Sequence, residues 1–239
     1  MRTDVLGVGF DDLTLEEAAA AGAALVEAGG FHYAVTPNPE FLLAAKHNPA
    51  FRQALLGADL VLADGVGVVY SAKILGRPLK GKVPGIDFAQ RLLAWMARHG
   101  KRLFLLGAKP GVAEQAGARL AEQYPGLRIA GTHDGYFQED EPVVEEIRRS
   151  GADVVFVCLG APKQELWMER WGKECGAGLL CGLGGSLDVF AGTVERAPRF
   201  WREHGLEWFY RLCKEPRRAG RMMKLPLFLI HVKREKRRK

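Results

Sequence analysis

The chain has 239 residues, 48% of them hydrophobic, which is enough for a large buried core and excludes a disordered protein. No run approaches the roughly 18 uncharged apolar residues of a membrane span, and the acidic N-terminus MRTDVLGVGFDD lacks the apolar centre of a signal peptide, so a cytosolic protein is expected. The net charge of +6 is uneven: residues 196–239 carry 15 Lys+Arg against 4 Asp+Glu, residues 1–195 carry 19 against 24, and so basic a segment suits a polyanion, either nucleic acid or an anionic membrane.

Val5–Gly9 reads as a first strand. Thr14 and Glu17 form a capping box opening an Ala-rich helix to about Ala28. Phe31–Thr36 reads as a second strand, and Thr36-Pro37-Asn38-Pro39 leads into a helix over Phe41–His47. Two prolines fit a helix start and hold Thr36 and Asn38 at the strand's end; Asn38 either caps that helix or faces a ligand. The short apolar run Leu60-Val61-Leu62-Ala63 stops at Asp64, and a helix runs on to about Leu75. Asp64 then lies at the carboxyl end of a buried strand, where open α/β sheets bind ligands. The alternative is that Asp64 only N-caps the helix after it.

Residues 76–87 (GRPLKGKVPGID) form a basic, glycine-rich loop, with Lys82 a candidate anion contact, and lead into a helix to about His99. Leu103–Leu106 is a strand, Gly107–Gly111 a tight turn and Val112–Tyr124 a helix. That order offers backbone N–H groups and a helix N-terminus to a phosphate. A full G-x-G-x-x-G is absent, so a nicotinamide-dependent oxidoreductase is disfavoured. Leu127–Gly131 reads as a strand, Asp134–Phe137 as a turn, Pro142–Arg149 as a helix and Val154–Leu159 as a buried strand. Gly160–Glu165 opens the next helix, with Gln164 and Glu165 together as its polar motif. Gly178–Leu183 is the last core strand, followed by Gly184, Gly185 and Ser186.

Strands alternating with helices predict an α/β fold: a Rossmann-like, doubly wound, mostly parallel sheet with helices on both faces, over residues 1–195. The polar motifs all follow strands, so in a parallel sheet they converge on one edge. Residues 196–239 form a basic, aromatic-rich helical appendage. Its Trp201, Trp208, Phe209 and Tyr210 interleave with Arg202, Arg211, Arg218 and Arg221. This suits a membrane interface and also single-stranded nucleic acid. No nucleic-acid motif of known spacing occurs, which favours the membrane. The four cysteines have no C-x-x-C spacing and read as reduced and buried; the six histidines show no metal-ligand spacing.

The segments TPNPEF (36–41), ADGVGVV (63–69), GKVPGIDF (81–88), LFLLGAKPGVAEQA (103–116), DGYF (134–137), VCLGAPKQELWM (157–168), GLGGSLDVFAGTVERAP (182–198) and LEWFYRLCKEPRRAGRM (206–222) stand in the order of one family. As a set they resemble the TagA/WecG/CpsF family of bacterial glycosyltransferases. The resemblance implies an enzyme at the inner face of the membrane. It would move N-acetylmannosamine from its UDP donor to N-acetylglucosaminyl-diphospho-undecaprenol with inversion, for wall teichoic acid or a related polymer. No cofactor and no metal are implied.

By the same resemblance Asp64 is the base that deprotonates the acceptor hydroxyl. Thr36, Asn38 and Gln164 hold the sugars. Backbone groups at Gly107, Gly111, Gly184, Gly185 and Ser186 cradle UDP. Arg211, Arg218 and Arg221 of the appendage neutralise the diphosphate as it departs. Lys82 stands where the family usually has arginine, keeping the charge without the bidentate fork. The expected partners are the UDP-sugar, the polyprenyl-diphosphate-linked acceptor and an anionic membrane surface, with no nucleic acid. Off the membrane, the aromatic patch is one that self-association into a homo-oligomer would cover. The alternatives are another UDP-sugar on the same fold and, from a different class, a nucleic-acid-binding Rossmann-like protein, whose binding would fall steeply with salt and need no lipid.

Overall fold

The computed structural model describes residues 2–198, 200–201, 205–214 and 224–237. Two strands open the chain, β1 (Arg2–Val5) and β2 (Val8–Asp11), paired antiparallel. The single strand expected over Val5–Gly9 is therefore a hairpin. Leu6 and Gly7 both take left-handed φ values, 55° and 80°, which is what a two-residue turn matching strand twist requires. The hairpin buries Val5, Val8 and Phe10 together.

Helix α1 (Leu15–Ala28) starts at the expected capping box, with Thr14 and Glu17 each accepting the other's backbone N–H. It leads to β3 (His32–Val35), α2 (Pro39–Ala45) and α3 (Pro49–Leu56). Helix α3 was not anticipated. It begins on Asn48-Pro49, with the Asn48 side chain accepting from Phe51 N–H, just as α2 begins on Asn38-Pro39. Then come β4 (Leu60–Val61), α4 (Val66–Ile74), α5 (Gly85–Arg98), β5 (Arg102–Gly107), α6 (Val112–Gln123), β6 (Arg128–His133), α7 (Asp140–Ser150), β7 (Val154–Cys158), α8 (Lys163–Trp171), β8 (Leu179–Gly182) and α9 (Ser186–Phe190). Two further helices are α10 (Glu207–Lys214) and α11 (Lys224–Lys236).

Six strands form one sheet in the order β4-β3-β8-β7-β5-β6. Every neighbouring pair is parallel, so all carboxyl ends share one edge. The strands are apolar on both sides because both faces are covered. Along β5, Phe104 and Leu106 join one core and Leu103 and Leu105 the other; along β7, Val155 and Val157 oppose Val154 and Phe156. Helices α1, α5, α6 and α9 cover one face; the hairpin and α2, α3, α4, α7 and α8 cover the other. Phe228 and Val232 of α11, both fully buried, lie in the second core with Val68 and Ala72 of α4.

The hairpin closes the β4 edge. Asp11 accepts the Val61 N–H at 2.9 Å, and Arg2 donates to the Ala58 and Asp59 carbonyls at 2.7 and 2.8 Å. Cys158, Cys175 and Cys181 are free and buried, as expected; Cys213, on α10, is free but exposed, so the expectation of burial fails there.

Candidate active site

Five of the polar motifs picked out in the sequence fall at the carboxyl ends of five adjacent strands. In sheet order they are Asp64 beyond β4, Thr36 and Asn38 beyond β3, Gly184–Ser186 beyond β8, Gln164 beyond β7 and Gly107–Gly111 at the end of β5.

Asp64 is half-buried. The backbone continues past β4 in sheet-like fashion: Leu62 N–H donates to Val35 at 2.9 Å and Asp64 N–H to Pro37 at 3.2 Å. The N-cap of α4 is Gly65, with a φ of 96°, so Asp64 does not occupy the cap position. Val83 N–H bonds the Ala63 carbonyl at 2.8 Å. That bond brings the basic loop, with half-buried Lys82, beside Asp64.

The neutral side chains are committed to holding strand ends. Thr36 Oγ1 donates to the Gly182 carbonyl at 3.1 Å, tying β3 to β8. Asn38 Oδ1 caps α2, accepting from Glu40 and Phe41 N–H groups at 2.9 and 3.3 Å. Gln164, only 1% exposed, accepts the Gly184 N–H at 3.0 Å and donates from Nε2 to Glu165 at 2.6 Å. Gly184 N–H and Ser186 N–H are thus engaged by Gln164 and by Leu183. Gly107 is required by packing, since a Cβ there would collide with the Cys158 backbone. Gly111 is required by conformation, at φ 83° as the N-cap of α6, and the space around it is open.

Two features carry no role assigned from the sequence: Arg196 is not among its candidates, and Glu165 enters only beside Gln164 in a polar motif after a strand. Arg196 grips Asp87 of α5 through both terminal guanidinium nitrogens, Nη1 and Nη2, at 2.6 and 2.8 Å. This is the fork geometry that makes an arginine–carboxylate pair strong. Burial works against the Arg196 charge, but the Asp87 carboxylate outweighs it, and Glu207 and Asp64 add to the attraction, so its pKa stays above the ordinary value. Arg196 therefore supplies positive charge close to Asp64. Its Nε is buried without a partner. Glu165 is fully buried with Oε2 unpartnered, and burial pushes its pKa up to about 7, against the Gln164 hydrogen bond. In the sequence Arg196 was only one of many charges; its position 109 residues from Asp87 gave no local signal.

Arg211 falls on α10, its side chain outside the described set, and Arg218 and Arg221 lie outside the described residues. The start of that segment reaches the site's rim. A Cβ on Gly205 would lie 2.6 Å from Val66 Cγ1 at the start of α4. Around it Val66, Tyr70, Phe200, Leu206 and Phe209 are exposed, and Trp201 sits about 6 Å from the rings of Phe200, Phe209 and Tyr210. Among the described residues no helix is long and apolar enough to cross a membrane.

Residues 3–239 match the profile of the glycosyl transferase WecG/TagA/CpsF family. A protein of Bacillus spizizenii is 39% identical over 200 residues, covering 84% of this chain and 78% of that protein. One from Bacillus subtilis is 37% identical over 204 residues, covering 85% and 80%. One from Staphylococcus aureus is 34% identical over 240 residues, covering 99% and 94%. Each is named N-acetylglucosaminyldiphosphoundecaprenol N-acetyl-beta-D-mannosaminyltransferase. With a parallel sheet whose five motif-bearing loops meet at one edge, the chain belongs to the WecG/TagA/CpsF family and is a glycosyltransferase.

Proposed function

We propose that this enzyme transfers N-acetylmannosamine from UDP-N-acetylmannosamine to a sugar hydroxyl of N-acetylglucosaminyl-diphospho-undecaprenol. The transfer inverts the anomeric carbon, needs no metal and yields a β-linked disaccharide on the lipid. Asp64 takes the proton from the acceptor hydroxyl. That oxygen attacks the anomeric carbon from one face while the bond to UDP breaks on the other. The diphosphate leaves with its electron pair and is met by cations of the protein: Arg196 and Lys82 beside Asp64, with Arg211, Arg218 and Arg221 of the appendage.

The observation that carries this is the placement of a half-buried carboxylate, Asp64, out of the cap position of α4 and next to fixed positive charge. The names of the three relatives support the acceptor and the transferred sugar. The exposed apolar residues around Gly205 and the basic last turn of α11 support work at the inner face of an anionic membrane.

The test is UDP release from UDP-N-acetylmannosamine with a short-chain N-acetylglucosaminyl-diphospho-lipid, in EDTA. Wild type should release UDP only when acceptor is present. Asp64→Asn should lower turnover by about 10²–10⁴ with little change in donor KM, as for loss of a general base. Full activity in the mutant would refute the base role, and activity abolished by EDTA would refute metal independence.

A further inference from the structure

The Gln164–Glu165 pair is unusual in that both side chains are buried and adjacent in sequence, yet both turn toward β8. Glycine at 182 makes this possible. A Cβ there would lie 2.8 Å from Met168 Cε, 3.1 Å from Gln164 Nε2 and 3.5 Å from Glu165 Oε1. The hydrogen bonds then leave no freedom in the Gln164 amide. A backbone N–H can only donate, so Gln164 Oε1 faces Gly184 and Nε2 faces Glu165. Glu165 Oε1 must accept. Without that acceptor the amide could turn over and set a donor against the Gly184 N–H.

We propose that Glu165 is a positioning residue which, through Gln164, sets the Gly184 peptide in the loop that receives the donor's diphosphate. This rests on the donor assignment above. Gly184 has a φ of 55° and opens the turn into α9, so the direction of its N–H fixes how the following Gly185 peptide is offered to a ligand, the Ser186 N–H being held by Leu183.

Glu165 can do this as a neutral acid. Oε1 accepts from Gln164, and the proton sits on Oε2, the atom that has no partner. Ionised, it would place a bare charge among Met168, Gly182 and the strand backbones, and such a charge is costly without a counter-ion. The titratable groups on the elements packed against α8 include Cys158 on β7, Cys181 on β8, His32 and Tyr33 on β3, Arg52 on α3 and Asp140 on α7, which accepts from Trp167 Nε1 at 2.9 Å. The shift of Glu165 comes from burial, opposed by the Gln164 and backbone hydrogen bonds, and not from these groups or from Lys163, Glu169 and Arg170 on its own helix. Burial is the dominant influence, with a midpoint of about 7. The carboxyl is therefore neutral below that pH. As pH rises through it, the new charge pulls on the Gln164 amide and disturbs Gly184.

The experiment is a pH titration of the full chain by NMR, following the Glu165 side-chain carboxyl carbon and the Gly184 amide, with and without UDP. In wild type the two signals should move together with a midpoint near 7, and donor KM should rise several-fold on the alkaline side while kcat changes little. Glu165→Gln keeps the acceptor oxygen and cannot ionise, so it should hold Gly184 at its low-pH position at every pH and flatten the KM profile. Glu165→Leu removes the acceptor and should displace the Gly184 amide at every pH. A Gly184 amide indifferent to Glu165 ionisation, or one that titrates unchanged in Glu165→Gln, would overturn the proposal. If the coupling appears but UDP perturbs no signal near Gly184, the donor assignment fails while the positioning of Gly184 by Glu165 stands.

Discussion

Arg196 meets acidic groups from three distant parts of the chain: Asp87 in contact, Asp64 and Glu207 through their fields. Its side chain is 14% exposed and that of Asp87 25%, so neither charge is fully hydrated. Removing one partner leaves the other poorly solvated, a loss of about 2–3 kcal/mol for so partly buried a pair. Arg196→Ala should lower stability in urea by that amount, and Arg196→Lys by less. The double variant with Asp87→Ala should fall short of the summed losses by about 1–2 kcal/mol. Strict additivity would mean the pair contributes no coupling. At this scale the sequence was legible where partners are close in the chain, as in the Thr14–Glu17 capping box. For Asn38 the sequence allows either a cap or a ligand contact, and its observed bonds are those of a cap. The sequence offered Glu165 only as the polar neighbour of Gln164 and did not foretell its burial, because this residue type sits outside in most proteins. Here it is drawn in because Gly182 leaves room beside β8.

Helix α11 belongs to the body's packing although its composition sets it apart. Phe228 and Val232 are fully buried against the core that α4 and α2 share, while Ile230 on the same helix is 48% exposed. Phe228→Ala should cost about 3–4 kcal/mol by leaving a cavity. Ile230→Ser should cost within about 0.5 kcal/mol. Thermal or urea unfolding of the two variants checks both. Equal, small losses would mean that α11 does not dock as described. Element type was readable wherever period and caps agreed, as in α1, β5 and β7. It failed where a backbone conformation contradicts residue preference. Leu6 with φ 55° breaks an apolar run that reads as one strand. Helix α3 was overlooked although Asn48-Pro49 repeats the start signal of α2; the signal was present, but the helix spans only 8 residues.

At the scale of the molecule, charge is segregated, with an acidic body and a basic C-terminal segment. Lys233, Arg234 and Lys236 lie exposed on the last turns of α11. Near an anionic bilayer each contributes about 1 kcal/mol. Replacing all three by Gln should weaken binding to vesicles containing phosphatidylserine by about 10²-fold at low salt. Binding to uncharged vesicles should not change. Sedimentation with vesicles across a salt series measures both, and loss on both vesicle types would assign the effect to packing instead of charge. The parallel sheet and the shared edge of its motifs were legible from the alternation of elements. The strand order was not, because nothing local in the sequence reveals that β8 enters between β3 and β7.

That strand order governs how the enzyme can emerge from the ribosome. Thr36 and Gly182, which join β3 to β8, are 146 residues apart. Until β8 is translated, β3 and β4 on one side and β5, β6 and β7 on the other are two half-sheets, each with an open inner edge. Such edges invite pairing with other chains. Closure of the sheet and assembly of the edge that carries the polar motifs are therefore one event, late in synthesis. A nascent chain stopped before Leu179 has neither a complete sheet nor the edge on which the five polar motifs meet.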